Sequence, residues 1–331
     1  MPNPKSTSRQ DLQPRNILRF LSVGFLMGTA NLVPGVSGGT IALVCGIYER
    51  LIFALRTLDR KSLSLFLRGD LRGLWEKVPI LFLAALTLGV AVAFLSMAHL
   101  LSFLINSYQS FLWAFFTGLI GGSILYIGRE VGKWDLAKAA LFAASTIMAI
   151  LLTGPFSIQL PTEAPFLVLG GMIAVAALLL PGLSGSHVLV VIGLYGFILE
   201  AFTSLQLQNL ALFGSGMVLG VLVFAQAIGA LLKKARNAVL AVLTGLMAGS
   251  LPAVWPWQKT VTERINSAGE PVPLQQVPVL PSTPPDMTEG SILLLCLVIG
   301  IFSVYLLTRL QEKNLPSLQN PQAVKTESAK L

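Results

Sequence analysis

The chain has 331 residues, of which 54% are hydrophobic and 11% charged, with a mean hydropathy of +0.75. Soluble domains carry roughly 25% charged residues, so this composition excludes an ordinary soluble domain and points to an integral membrane protein. The net charge of +8 does not point to nucleic acid, because the lysines and arginines lie in short segments between apolar runs and form no basic stripe or binding motif.

Residues 1–16 are polar and basic and read as a cytoplasmic N-terminus. An apolar run follows at 17–33. Gly28-Thr29-Ala30 has the small residues of a signal-peptidase site, yet the run leads directly into a helix-breaking motif and is expected to stay. That motif, Pro34-Gly35-Val36-Ser37-Gly38-Gly39, precedes a second apolar run at 40–56. The two short runs form a helical hairpin, either re-entrant or barely spanning. Apolar runs at 79–98, 109–127 and 138–153 complete a first repeat, 17–153.

The pattern then recurs. The run 165–180, the motif Pro181-Gly182-Leu183-Ser184-Gly185-Ser186 and the run 187–203 form a second hairpin, 147 positions after the first. Gly46-Ile47-Tyr48 matches Gly193-Leu194-Tyr195 at the same offset. Runs at 210–232, 238–254 and 290–309 complete the second repeat, 165–309, with a Pro-rich external loop at 255–289. The polar stretch 310–331 reads as a disordered cytoplasmic tail. Thr117-Gly118-Leu119-Ile120-Gly121-Gly122-Ser123 resembles Thr244-Gly245-Leu246-Met247-Ala248-Gly249-Ser250, small residues that serve either close helix packing or a pathway lining.

Charge orients these segments. Basic residues flank the first hairpin on both sides, from Arg9 to Arg19 and from Arg56 to Lys77, and recur at Arg129–Lys138, Lys233–Arg236 and Arg309–Lys325. These are cytoplasmic by the positive-inside rule. Segments 99–109, 154–164 and 203–209 have no lysine or arginine and face outward. Three crossings separate the hairpins, so the halves have opposite orientation. The expected fold is all-α: a polytopic membrane protein of two inverted-topology repeats, each a hairpin followed by transmembrane helices.

Each motif breaks one helix and starts another, leaving free backbone N–H groups at the new start. Glycines permit close approach and hydroxyls add donors, which suits an anion and phosphate in particular. The candidate phosphate-binding residues are Asn31, Pro34, Gly35, Ser37, Gly38, Gly39 and Thr40 in the first copy. In the second they are Pro181, Gly182, Ser184, Gly185, Ser186 and His187. His187 serves either as a cation facing the anion or as a neutral polar residue at a helix start. Tyr48, Glu49, Arg50, Tyr195 and Glu200 are candidates for substrate access or coupling. Bulky residues at Gly38 or Gly185 are expected to stop transport while leaving the fold largely intact. Cys45 and Cys296 lie in apolar runs without metal-ligand spacing, and no metal or cofactor is expected.

The stretch Gly28–Thr40, continuing to Gly46-Ile47-Tyr48-Glu49-Arg50, resembles the signature of the bacterial polyprenyl-phosphate transporter family. The resemblance spans roughly 17–310 and implies return of undecaprenyl phosphate from the outer to the inner leaflet of the cytoplasmic membrane. The partners it implies are that lipid and the bilayer, with homo-oligomers left open. Many family members carry Asp at the position of Asn31 and Glu at that of Gly196. The second motif also resembles the Pro-Gly-x-Ser-Arg-Ser loop of undecaprenyl-pyrophosphate phosphatases. Gly185 replaces its arginine, which disfavours phosphoryl transfer and an enzyme. A small-anion transporter or channel is the remaining alternative.

Overall fold

A computed structural model describes residues 14–33, 35–154, 158–265, 271–281 and 286–314. Pro34, most of the N-terminal segment and the tail beyond Asn314 lie outside the described residues.

Helix α1 (Pro14–Asn31) meets the first motif, and two short helices follow, α2 (Gly38–Val44) and α3 (Tyr48–Arg56). They bend by 113° at a break where Gly46 takes φ +64°, a conformation that disfavours any side chain. The second repeat copies this with α8 (Ala164–Leu179), α9 (Gly185–Val191) and α10 (Tyr195–Thr203), bent by 112° with Gly193 at φ +76°. The repeated Gly-x-Tyr is therefore a corner.

Two long helices carry the paired apolar runs of the sequence. Helix α6 (Ile80–Glu130) has 51 residues and breaks at Tyr108, and α11 (Leu207–Ser250) has 44 and breaks at Ala235. At about 1.5 Å per residue neither fits a hydrocarbon core of about 30 Å unbroken. Each is two crossing segments folded at a single residue, in the segment where the sequence places a loop. Helices α7 (Leu136–Thr153) and α12 (Met287–Asn314) complete the bundle. Four helices are long and apolar enough to cross a membrane, and six if each bent pair is one span. This is a predominantly helical, multi-pass membrane protein.

Glycine sets how the helices pair. A Cβ on Gly24 of α1 would lie 2.3 Å from the Leu86 carbonyl oxygen, and one on Gly89 of α6 2.2 Å from that of Leu21. The equivalent pair in the second half is Gly171 of α8, 2.2 Å from the Phe213 oxygen, and Gly216 of α11, 2.0 Å from that of Val168. The repeated Gly118 and Gly245 elements also pack. Gly118 abuts the Leu297 carbonyl of α12, and Gly245 abuts the Phe142 carbonyl of α7. The last helix of each half thus lies against the long helix of the other.

Two segments fold beyond the sequence reading. Residues 258–278, read as part of a loop, form strands β1 (Gln258–Ile265) and β2 (Pro271–Pro278), paired antiparallel. Thr260, Val261 and Thr262 favour a strand, and prolines sit easily in an isolated pair with open edges. The basic flank after α3 forms short helices α4 (Arg60–Leu67) and α5 (Leu71–Lys77). Asp59 caps α4 through the Ser62 N–H at 2.9 Å, and Asp70 caps α5 through the Gly73 N–H at 2.8 Å.

Asp59 also accepts the Lys77 ammonium, joining the two helices. That hydrogen bond, then the Ser62 N–H, holds the Asp59 carboxyl down at about 2. A folded pKa below the unfolded value of about 3.9 stabilises above that value and is lost as pH falls through about 2. Asp59→Asn is expected to remove the tie at neutral pH, read as faster amide hydrogen exchange across α4 and α5 with the rest of the protein unchanged.

Candidate functional site

The first motif is closed upon itself. Ser37, in extended conformation, caps α2 by accepting the Gly39 N–H at 3.1 Å. The Asn31 side chain folds back from the end of α1 and accepts the Gly38 N–H at 2.7 Å. Two N–H groups at the start of α2 therefore already have internal acceptors. The second motif is built differently. The position 147 residues after Asn31 is Leu178, and Ser184 makes no side-chain cap bond. Its hydroxyl instead lies 3.0 Å from that of Ser186.

The copies meet. The Ser37 hydroxyl donates to the Leu180 carbonyl at 3.1 Å, and the Gly182 N–H donates to the Thr40 hydroxyl at 3.1 Å. Gly39 lies against Leu179 and Pro181. Ser37 and Thr40 are 1% and 0% exposed, so in this structure their hydroxyls tie the two halves together. Gly35 and Gly182 take φ +81° and +83°, and Pro181 is buried beside them. Thr40→Val would leave the buried Gly182 N–H without an acceptor. It is expected to lower stability by about 1–3 kcal/mol, measured as the thermal midpoint of the purified protein.

A cavity of about 310 Å³ opens beside this junction. Asn31 and Gly35 line it from the first motif, and Ser184, Ser186, His187 and Tyr195 from the second hairpin. Ile105 and Trp113, flanking the Tyr108 break, complete the lining with Thr153 of α7, Ala253 and Gln276 of β2, whose side chain accepts from Gln109 at 3.1 Å. Among the described residues no lysine, arginine, aspartate or glutamate lines it. Two polar atoms here are buried without partners, His187 Nε2 and Trp113 Nε1. His187 lies beside the backbone of Thr153, and a ring that donates to that carbonyl presents Nε2–H only as the cation. Buried polar atoms left unpaired are costly, and these two lie on cavity-lining residues beside the paired serine hydroxyls. The site holds hydroxyl and indole donors and no carboxylate, which is what a desolvated anion needs.

Other sequence candidates lie elsewhere. A Cβ on Gly38 would lie 2.9 Å from the Asn31 side chain and 3.0 Å from the Met27 carbonyl oxygen; one on Gly185 would lie 2.7 Å from the Ala174 oxygen. Both glycines are helix contacts, so bulky replacements there disturb packing, contrary to the expectation of an intact fold. Glu49 pairs with Arg236 at 2.5 Å, and Arg236 reaches Glu130 at 3.8 Å. The Arg50 guanidinium sits 4.6 and 4.5 Å from the ring centres of Phe20 and Phe82. Tyr48 is buried with its hydroxyl unpartnered, and Glu200 is exposed. None of Tyr48, Glu49, Arg50 or Glu200 lines the cavity. Trp113, Thr153 and Gln276 escaped the sequence reading, since a tryptophan inside an apolar run carries no signal that separates it from core.

Residues 27–272 match a family model described as VCA0040-like, undecaprenyl phosphate translocase-like. The chain belongs to this family. Two translocase-like relatives bear the name polyprenyl-phosphate transporter. That of Vibrio cholerae serotype O1 is 36% identical over 298 residues, covering 90% of this chain and 97% of that protein. That of Staphylococcus aureus is 30% identical over 259 residues, covering 73% and 86%. No solved structure matches the chain. The undecaprenyl phosphate translocase-like family is the one that the stretch from Gly28 to Arg50 resembles.

Proposed function

We propose that this chain translocates undecaprenyl phosphate across the bacterial cytoplasmic membrane, from the outer to the inner leaflet, with both termini in the cytoplasm. One observation carries the reading. The cavity joins both motif copies, and its walls include Ile105 from an outward segment without lysine or arginine, Thr153 at the end of α7 that leads into another, and Gln276 of the Pro-rich loop read as external. A phosphate arriving from the outer leaflet would meet the Ser184 and Ser186 hydroxyls, His187 Nε2 and Trp113 Nε1, while its polyprenyl tail stays among the lipids. The donors suit a phosphate, and release toward the cytoplasm requires the junction at Ser37 and Thr40 to open.

The two halves have opposite orientation in this reading. Equal bends in the two hairpins and three intervening crossings support it. The Gly38 N–H then becomes the donor that the first motif offers once its bond to the Asn31 side-chain oxygen breaks.

The test is purified protein in vesicles with a labelled polyprenyl phosphate and a leaflet-specific readout. Movement of the lipid is expected. Passage of inorganic phosphate without lipid would favour the small-anion reading, and phosphate release from the pyrophosphate lipid would favour a hydrolase. Stationary lipid overturns the proposal.

A further inference from the structure

The halves differ at one connection. Three residues, Ser204 to Gln206, join α10 to α11, whereas residues 57–79 join α3 to α6 and contain α4 and α5. The second half shows that this hairpin and long helix connect without such an insert, so its composition answers to something besides the bundle.

The insert gathers two kinds of exposed side chain. Leu63, Phe66, Leu67, Leu71 and Trp75 are 58%, 61%, 74%, 67% and 49% exposed. Leu63, Phe66 and Leu67 share one face of α4 by their spacing. Arg60, Lys61, Arg68 and Arg72 are exposed on the same two helices and the turn between them. Acidic groups here are few and mostly engaged: Asp59 holds Lys77, Asp70 caps α5, and Glu76 lies 3.6 Å from Arg72. Apolar surface left in water is unfavourable by about 25 cal/mol per Å². Basic amphipathic helices remove it by lying in the headgroup layer. Clusters of four or more lysines and arginines at a cytoplasmic surface bind anionic lipid.

We infer that α4 and α5 form an in-plane foot, sunk in the cytoplasmic headgroup layer and bound to anionic phospholipid. The inference shares with the proposed function only the placement of this face in the cytoplasm, and holds whichever anion is carried. The Asp59–Lys77 tie joins the start of α4 to the end of α5, with Leu67 and Leu71 on either side of the turn between them.

The test needs no transport assay, so its failure is separable from that of the transport reading. A nitroxide is placed at Leu67→Cys in a chain carrying Cys45→Ala and Cys296→Ala, reconstituted in neutral vesicles or vesicles containing phosphatidylglycerol. The label is expected to collide with oxygen more than with a neutral water-soluble nickel chelate, and to sit deeper with phosphatidylglycerol. Replacing Arg60, Lys61, Arg68 and Arg72 with glutamine is expected to abolish that lipid dependence. On the unaltered chain, trypsin cleavage at these four residues is expected to slow in anionic vesicles and recover in about 1 M salt. A label in water in both vesicles, or depth and cleavage indifferent to lipid charge, overturns the inference.

Discussion

His187→Ala is expected to lower polyprenyl-phosphate transport by about one to two orders of magnitude while leaving the protein folded. The ring lies beside the Thr153 backbone, and Nε2 is buried without a partner. A hydrogen bond to a charged group contributes about 1.5–3 kcal/mol, which is the basis of the range. Removing the ring removes the Nε2–H that its cationic form offers the phosphate, and widens a cavity of about 310 Å³. Because Nε2 is unsatisfied without substrate, its loss should stabilise the empty protein or leave it unchanged, unlike the loss of a core contact. Thermal midpoint and transport are therefore measured on the same preparation. Full transport in His187→Ala would remove the imidazole from the phosphate site, and a collapsed midpoint would make it a structural residue.

Gly216→Leu is expected to destroy the folded protein, whereas Gly214→Leu, two residues away on the same helix, is tolerated. A Cβ at Gly216 would lie 2.0 Å from the Val168 carbonyl oxygen and 2.8 Å from its carbon, while nothing lies within 4 Å of one at Gly214. Overpacking ordinarily costs about 1–3 kcal/mol because side chains rotate away. Here the obstacle is backbone, so α8 and α11 must separate along their whole contact. Monodisperse yield after detergent extraction separates the two variants, and equal yields would sink the argument. Gly89→Leu is the matching change in the first half, where the Leu21 oxygen stands 2.2 Å away.

Much of this architecture is legible in the sequence because proline and glycine punctuate apolar runs. The hairpins and the paired runs of α6 and α11 follow from that punctuation, whereas the corners at Gly46 and Gly193 fall inside runs, 40–56 and 187–203, that read as single segments. The partner of a glycine face is not legible. Gly118 and Gly245 demand a close backbone, but the residues do not say that it belongs to the opposite half. Hydroxyls are equally ambiguous. Ser37 and Thr40 read as ligand donors, and in the structure they join the motifs, because a hydroxyl at a helix start serves a neighbouring backbone as readily as an anion. The difference between the motif copies is written in one position, Asn31 against Leu178, and acquires meaning only once Asn31 is seen to hold the Gly38 N–H.

The pairing of α7 with α11 and of α12 with α6 bears on how such a chain arose. A half-length ancestor with this geometry would have had no surface of its own for its last helix. It would have closed only by lending that helix to a second copy and receiving one in return, as in a domain-swapped dimer. Fusion of two such copies would make the exchange permanent and free each half to diverge, as the motif copies differ here, the first closed by Asn31 and Ser37 and the second without those bonds. Severing the chain between α7 and α8 should therefore yield fragments that fold together and not alone.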